Sequence, residues 1–115
     1  MNPIEGIVKF NTDRNLTEYL PFSEYNMLME ELQEFMWGGA NNDETEMVDA
    51  LCDIIVVATG ALHKLGYDPT KALGETVKEI NSREGDFNKS TGKWEKNPNQ
   101  DPKTLYKANY KTCKR

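Results

Sequence analysis

The sequence predicts an all-α fold, in outline a four-helix bundle with an irregular C-terminal strap, and three observations predict it. Apolar residues recur at helical spacing in successive segments up to about residue 84. The breaks between those segments carry proline, glycine or a capping side chain. No two runs joined by a convincing hairpin turn precede Gly85. At 115 residues the chain is expected to form a single domain, with a core over about 23–84 and a strap over 85–115.

Ile4, Ile7, Val8 and Phe10 are compatible with a first short helix over Ile4–Asn15, or with a loop docked by its apolar edge. Pro21 then breaks the chain. Ser23 is a good N-cap, and Tyr25, Leu28, Met29, Leu32, Phe35 and Met36 mark a second helix that Gly38-Gly39 would end. After a polar turn, Asn42 or Asp43 can cap a third helix from about Glu44 to Leu65, closed by Gly66. Asp68-Pro69 is a cap followed by proline at the first helical position. Ala72, Leu73, Val77 and Ile80 give this fourth helix an apolar stripe to about Arg83. From Gly85 to Pro102, Gly, Asn, Pro, Lys and Ser crowd together, which predicts a loop or strap. Leu105, Tyr106, Ala108 and Tyr110 suit a last short helix.

The formal net charge is -5, with 19 acidic residues against 14 basic ones. That balance argues against binding a nucleic-acid polymer, because neutralising phosphates needs clustered Lys and Arg in excess. Acids dominate up to Asp53 and bases thicken from Lys64 onward, so the two halves could meet over one anionic ligand. Cys52 and Cys113 have neither metal-site spacing nor the density of a disulfide scaffold, which fits a reducing cytoplasm. The first residues lack the basic and apolar regions of a signal peptide. The longest apolar run is interrupted by Asp49, Asp53, His63 and Lys64, so no membrane association is expected.

The most informative feature is Asp49 and Asp53, one helical turn apart inside the apolar run Met47 to Leu65. Taking a carboxylate out of water costs several kcal/mol, on the order of 3 to 5 pKa units, unless a cation or strong donors compensate it. Glu30, Glu31 and Glu34 form a second acidic stripe on the preceding helix, while Glu46, Asp49 and Asp53 lie within roughly 60° of one another on theirs. Two helices joined by a short turn run antiparallel, so the stripes can converge. Mg²⁺, or Mn²⁺, would relieve the repulsion, being a hard ion that takes oxygen ligands and leaves positions for substrate phosphates. A solvated acidic face is the ordinary meaning of the Glu30-Glu31-x-x-Glu34 pattern alone; the two aspartates shift the balance to a metal site. A carboxylate-bridged di-iron centre needs Glu-x-x-His pairs, and the one histidine, His63, has Gly60 three residues before it.

These residues resemble the all-α nucleoside triphosphate pyrophosphohydrolases, which include MazG, dimeric dUTPases and phosphoribosyl-ATP pyrophosphohydrolase. The resemblance covers roughly Ser23 to Lys93. Glu30-Glu31-Leu32-Gln33-Glu34 is similar to the family's Glu-Glu-x-x-Glu, Glu46-Met47-Val48-Asp49 to its Glu-x-x-Asp, and Leu65-Gly66-Tyr67-Asp68-Pro69 to the end of its long helix. Asn81-Ser82-Arg83 and Gly92-Lys93-Trp94 are similar to the tail of a phage and bacterial subgroup. Counted back from Leu65-Gly66, however, the family aspartate falls on Asp53, with Ala50 three residues before it. The second motif can therefore be registered on Asp49 or on Asp53.

The resemblance implies a MazG-type fold and Mg²⁺-dependent hydrolysis of a nucleoside triphosphate between its α- and β-phosphates. It implies metal ligands at Glu31, Glu34, Glu46 and Asp49, with Asp53 an added ligand or an acceptor behind them. Glu30 would orient or deprotonate the attacking water, and Lys78, Asn81, Arg83 and Lys93 would meet the phosphates. Trp37 and Trp94 could stack a base, although aromatics in such places more often cover core. A homodimer or homotetramer is expected, both from the family and from a third helix too apolar for a lone small bundle. The rival readings are a non-catalytic helical metal-binding or assembly protein and a phosphoribosyl-ATP pyrophosphohydrolase.

Overall fold

The computed structural model describes residues 1–115 and is helical in its main elements: α1 (Pro3–Asp13), α2 (Pro21–Ala40), α3 (Glu44–Lys64) and α4 (Pro69–Ser82). A two-stranded antiparallel hairpin, β1 (Gly85–Asn88) with β2 (Lys93–Lys96), and a 3-10 turn (Tyr110–Cys113) follow. Two compact units are present, Met1–Pro69 with Arg115, and Thr70–Lys114. No helix is long and apolar enough to cross a membrane.

In the first unit each helix begins for a local reason. Asn2 caps α1 by accepting the Glu5 N–H at 2.9 Å, while its own amide donates to the Glu5 carboxylate, and Pro3 takes the first helical position. A helix is thus formed there, starting one residue before the expected Ile4. Pro21 also stands at a first helical position, where its missing N–H costs nothing. Ser23 therefore lies inside the first turn of α2 and is not its cap; Leu20 precedes the helix without a side-chain cap. Asp43 caps α3 by accepting the Glu46 N–H at 3.1 Å.

Gly38-Gly39 does not end α2, which continues to Ala40. The left-handed residue in the turn is Asn42, at φ 54°. Gly38 instead permits close approach: a Cβ there would stand 3.0 Å from Met47 Cγ and 3.1 Å from the Met47 backbone nitrogen. At the other end of the same helix pair, Lys64 on α3 donates to Glu24 on α2 at 2.6 Å, with the side chains only 12% and 3% exposed. α2 and α3 are therefore held antiparallel at both ends. Asn11 of α1 is buried near Gly60 of α3. Beyond α3, Gly66 adopts φ 98°, the left-handed conformation that follows a helix end. Arg115 then satisfies the last turn, its guanidinium donating to the His63 carbonyl and its N–H to the Gly66 carbonyl at 3.0 Å.

In the second unit, residues expected to be a plain strap contain the hairpin. Phe87 faces Trp94 across the strands, and the Asn88 side chain accepts the Ser90 N–H at 2.8 Å to fold the turn. The later segment is tied to α4 by carboxylates: Glu75 accepts from the Tyr106 hydroxyl at 2.5 Å and the Asn109 N–H at 2.9 Å, and Glu79 from the Ala108 N–H at 3.0 Å. Of the expected final helix, only Tyr110 lies in the 3-10 turn. These bonds hold both glutamates below the ordinary carboxylate range, the Tyr106 hydroxyl acting most on Glu75 and the Ala108 amide most on Glu79.

The apolar stripes are less covered than expected. Ala50 and Ala72 are buried, but Met29, Leu32, Met36, Val48, Leu51 and Ile55 on α2 and α3 are exposed, as are Leu73, Val77 and Ile80 on α4.

Replacing Lys64 by Met strands the Glu24 carboxylate in a buried position and should cost about 3 to 5 kcal/mol, read from urea unfolding. A loss within 1 kcal/mol or less would show the pair to be dispensable. The lowered Glu75 and Glu79 values mean that their contribution is present above the usual carboxylate range and lost as pH falls below it. Acidification should therefore speed hydrogen exchange at the Tyr106, Ala108 and Asn109 amides, and Glu75→Gln should speed exchange at Asn109 already at neutral pH.

Candidate active site

The α2–α3 pairing brings carboxylates from two helices together. Glu31 and Glu34 project from α2, one turn apart, and Asp53 from α3, and one oxygen of each lies within 4.8 Å of the others. Glu31 and Asp53 are partly buried and Glu34 is exposed, so the group opens to solvent on one side. Glu31 Oε2 is buried with no hydrogen-bond partner.

The electrostatic consequence falls on Glu31, whose pKa is raised to about 7. Burial contributes most, followed by the neighbouring Glu34 and the charges of Asp53 and Asp49. Sequence reasoning assigned the expensive burial to Asp49 and Asp53. In the structure Asp49 is exposed and Asp53 half-buried, because that face of α3 turns partly outward. The group under strain sits on the partner helix.

The remaining expected residues are distributed as follows. Asp49 acts on Glu31 through its charge but is not one of the three converging carboxylates. Glu46 is also outside that group; it stands in the first turn of α3, where its N–H is taken by the Asp43 cap. Glu30 is exposed and lines an open groove of about 710 Å³ with Gln33, Glu34, Met36, Trp37 and Ala40. Gln33 was not singled out from the sequence, although residues 30, 33, 34 and 37 share one helical face.

The basic candidates all belong to the second unit. Lys78 pairs with Glu75 at 3.5 Å and lies 5.8 Å from the Tyr106 ring centre. Arg83 pairs with Glu79 at 3.3 Å. Asn81 is exposed near the end of α4, and Lys93 is exposed where β2 pairs with Asn88. Trp94 belongs to the hairpin, where it faces Phe87. His63 is buried at the end of α3, and burial together with the Arg115 charge lowers its pKa, opposed by Asp68.

Three oxygen donors at this separation, one with an orphaned buried oxygen and a reluctance to ionise, form a set that a hard divalent cation would satisfy. One divalent cation would relieve the mutual repulsion of the three carboxylates. Glu31 becomes an anionic ligand by releasing its proton.

Residues 11–81 match the family model for phosphoribosyl-ATP pyrophosphohydrolase, within the MazG-like nucleoside triphosphate pyrophosphohydrolase superfamily. No curated protein and no solved structure matches the chain.

Because Glu31 ionises with difficulty, its contribution to stability is complete below about pH 4.5 and is lost as pH rises through about 7. In metal-free buffer Glu31→Gln should therefore raise the melting temperature relative to wild type at pH 8, and by less at pH 5. His63, which favours its neutral form, destabilises the fold as pH falls below about 6.5, but it is common to both proteins and cancels in the comparison. A difference independent of pH would remove Glu31 from this role.

Proposed function

Since the chain belongs to the phosphoribosyl-ATP pyrophosphohydrolase family and is therefore a pyrophosphohydrolase acting on acid anhydrides, we propose that it is a divalent-metal-dependent nucleoside triphosphate pyrophosphohydrolase. In this reading it cleaves between the α- and β-phosphates, releases a nucleoside monophosphate and pyrophosphate, and serves nucleotide pool control or housecleaning. The observation that carries the proposal is the convergence of Glu31, Glu34 and Asp53 across two helices, with a Glu31 oxygen buried and unpartnered.

Mg²⁺, with Mn²⁺ as an alternative, would be held by Glu31, Glu34 and Asp53, with Asp49 and Glu46 close behind in the acidic stripe of α3. A bound divalent ion supplies neutralisation of the phosphate charge and Lewis-acid activation of the anhydride. The chain's own part is to position the acids and to handle the proton. Glu30, exposed beside Glu34 in the open groove, is the proposed base that orients or deprotonates the attacking water. Lys78, Asn81, Arg83 and Lys93 are proposed to meet the substrate phosphates, Arg83 with its planar fork above all. Trp37 offers an exposed ring in the same groove as Glu30.

The proposal treats residues 1–115 as one catalytic domain that works in the cytoplasm as a homodimer or homotetramer. The exposed apolar side chains of α2, α3 and α4 support assembly, since a second copy would remove them from water. A second reading, phosphoribosyl-ATP as the substrate, is favoured by the name of the matching family model.

A panel of canonical and modified nucleoside triphosphates together with phosphoribosyl-ATP, assayed with Mg²⁺ or Mn²⁺ for monophosphate and pyrophosphate, tests both readings. The expected result is metal-dependent pyrophosphate release. Changing residues that merely support a metal ligand costs 10–100-fold, so Glu34→Gln and Asp53→Asn should each lower kcat/KM by roughly a hundredfold or more. Full activity in both variants would end the site assignment. Stabilisation by Mn²⁺ without consumption of any triphosphate would instead favour the non-catalytic metal-binding protein.

A further inference from the structure

A second set of charged side chains lies almost entirely beyond the residues that match the family model. In the second unit, Glu79 and Arg83 at the end of α4, Lys96 at the end of β2, Asn97, Gln100 and Lys107 border a recessed cavity of about 250 Å³. Three cations and one carboxylate surround it. That local excess of positive charge stands in a chain whose formal net charge is -5.

The carboxylate is already committed. Glu79 accepts the Ala108 N–H through one oxygen and the Arg83 guanidinium through the other, at 3.0 and 3.3 Å. The charge of Lys107 also acts on Glu79, yet neither Lys96 nor Lys107 has a salt-bridge partner. Arg83 uses one guanidinium nitrogen on Glu79, which leaves other N–H groups of its fork free.

The walls of the cavity are fixed by hydrogen bonds rather than by the cations. The Gln100 side chain donates to the Ser82 carbonyl at 2.8 Å and the Thr104 hydroxyl at 3.1 Å, and accepts the Glu84 N–H at 2.8 Å. The Asn97 N–H donates to the Glu84 carbonyl at 2.8 Å. The turn after β2 is thus pinned to the end of α4, so little ordering remains for a ligand to impose. At 250 Å³ the cavity falls below the range of about 300–1,000 Å³ typical of drug-sized ligands, which favours a small anion.

We infer that Arg83, Lys96 and Lys107 form a metal-independent binding site for a phosphate oxyanion: inorganic pyrophosphate or phosphate, or the terminal phosphate of a nucleotide. A guanidinium fork and two ammonium groups around a preformed recess match such an anion in charge and in hydrogen-bond direction. Arg83 is the residue it shares with the substrate-phosphate contacts proposed above; Lys96, Lys107 and the recess itself are additional, and anion binding here needs neither the acid cluster nor a metal.

Sodium pyrophosphate, sodium phosphate and ATP are each titrated into the full chain in buffer containing EDTA, followed by calorimetry and amide NMR. Pyrophosphate should bind and shift the resonances of Arg83, Lys96 and Lys107. The Lys96→Ala/Lys107→Ala variant removes two charge-assisted contacts from exposed side chains, so its affinity should fall by at least about tenfold. Asp53→Asn should bind pyrophosphate as wild type does, whether or not it retains hydrolytic activity. Binding of ATP that weakens in the double variant assigns the site to a nucleotide's phosphate tail, and binding of the inorganic anions alone assigns it to free phosphate or pyrophosphate. Equal affinity in wild type and the double variant, or no binding by any of the three probes, overturns the inference.

Discussion

The antiparallel seating of α2 on α3 is the constraint on which the candidate site depends. At the turn, the absence of a Cβ on Gly38 lets Met47 approach, and the Asp43 cap starts α3 at a defined residue. At the far end, the buried Glu24–Lys64 pair fixes the relative positions of the two helices. Between these clamps the spacing along each helix leaves no freedom: Glu31 and Glu34 stand opposite Asp53. A buried ion pair contributes little net stability compared with well-packed apolar residues, but a mispaired arrangement would bury an uncompensated charge.

That register concentrates like charge. Three carboxylates within 4.8 Å of one another oppose folding in the absence of a cation, and the cost appears as a Glu31 that holds its proton to about pH 7. Local stability is given up where chemistry is proposed to occur, as is common when ionisable groups are gathered for function. The second unit handles its carboxylates in the opposite way. Glu75 and Glu79 are each supplied with donors, sit below their ordinary range and fasten the chain after the hairpin to α4. The same residue type is thus destabilising in one unit and cohesive in the other, according to the number of donors that reach it.

Much of this could be read from the sequence, and the failures have identifiable causes. Helical periodicity, a capping residue at Asn42 or Asp43 and the proline that opens α4 located the long helices, because those signals are local. Ser23 misled because a proline at the first helical position can begin a helix without a side-chain cap. Gly38-Gly39 misled because glycine serves close packing as well as helix termination, and the turn used Asn42 instead. The hairpin escaped notice because its stabilising pair, Phe87 with Trp94, lies in a segment dominated by turn-forming residues.

The sequence by itself determined the helical class and the presence of two acidic stripes, since each follows from residue spacing along one helix, and the motifs on those helices carried the resemblance to the family. Only the tertiary structure decided which acids meet, that the costly burial belongs to Glu31 rather than to Asp49, and that Arg83, Lys96 and Lys107 border one recess. Those outcomes depend on how one element is rotated and shifted against another. Periodicity along the chain does not specify that quantity, whereas a close glycine contact, a buried ion pair and a set of side-chain hydrogen bonds do.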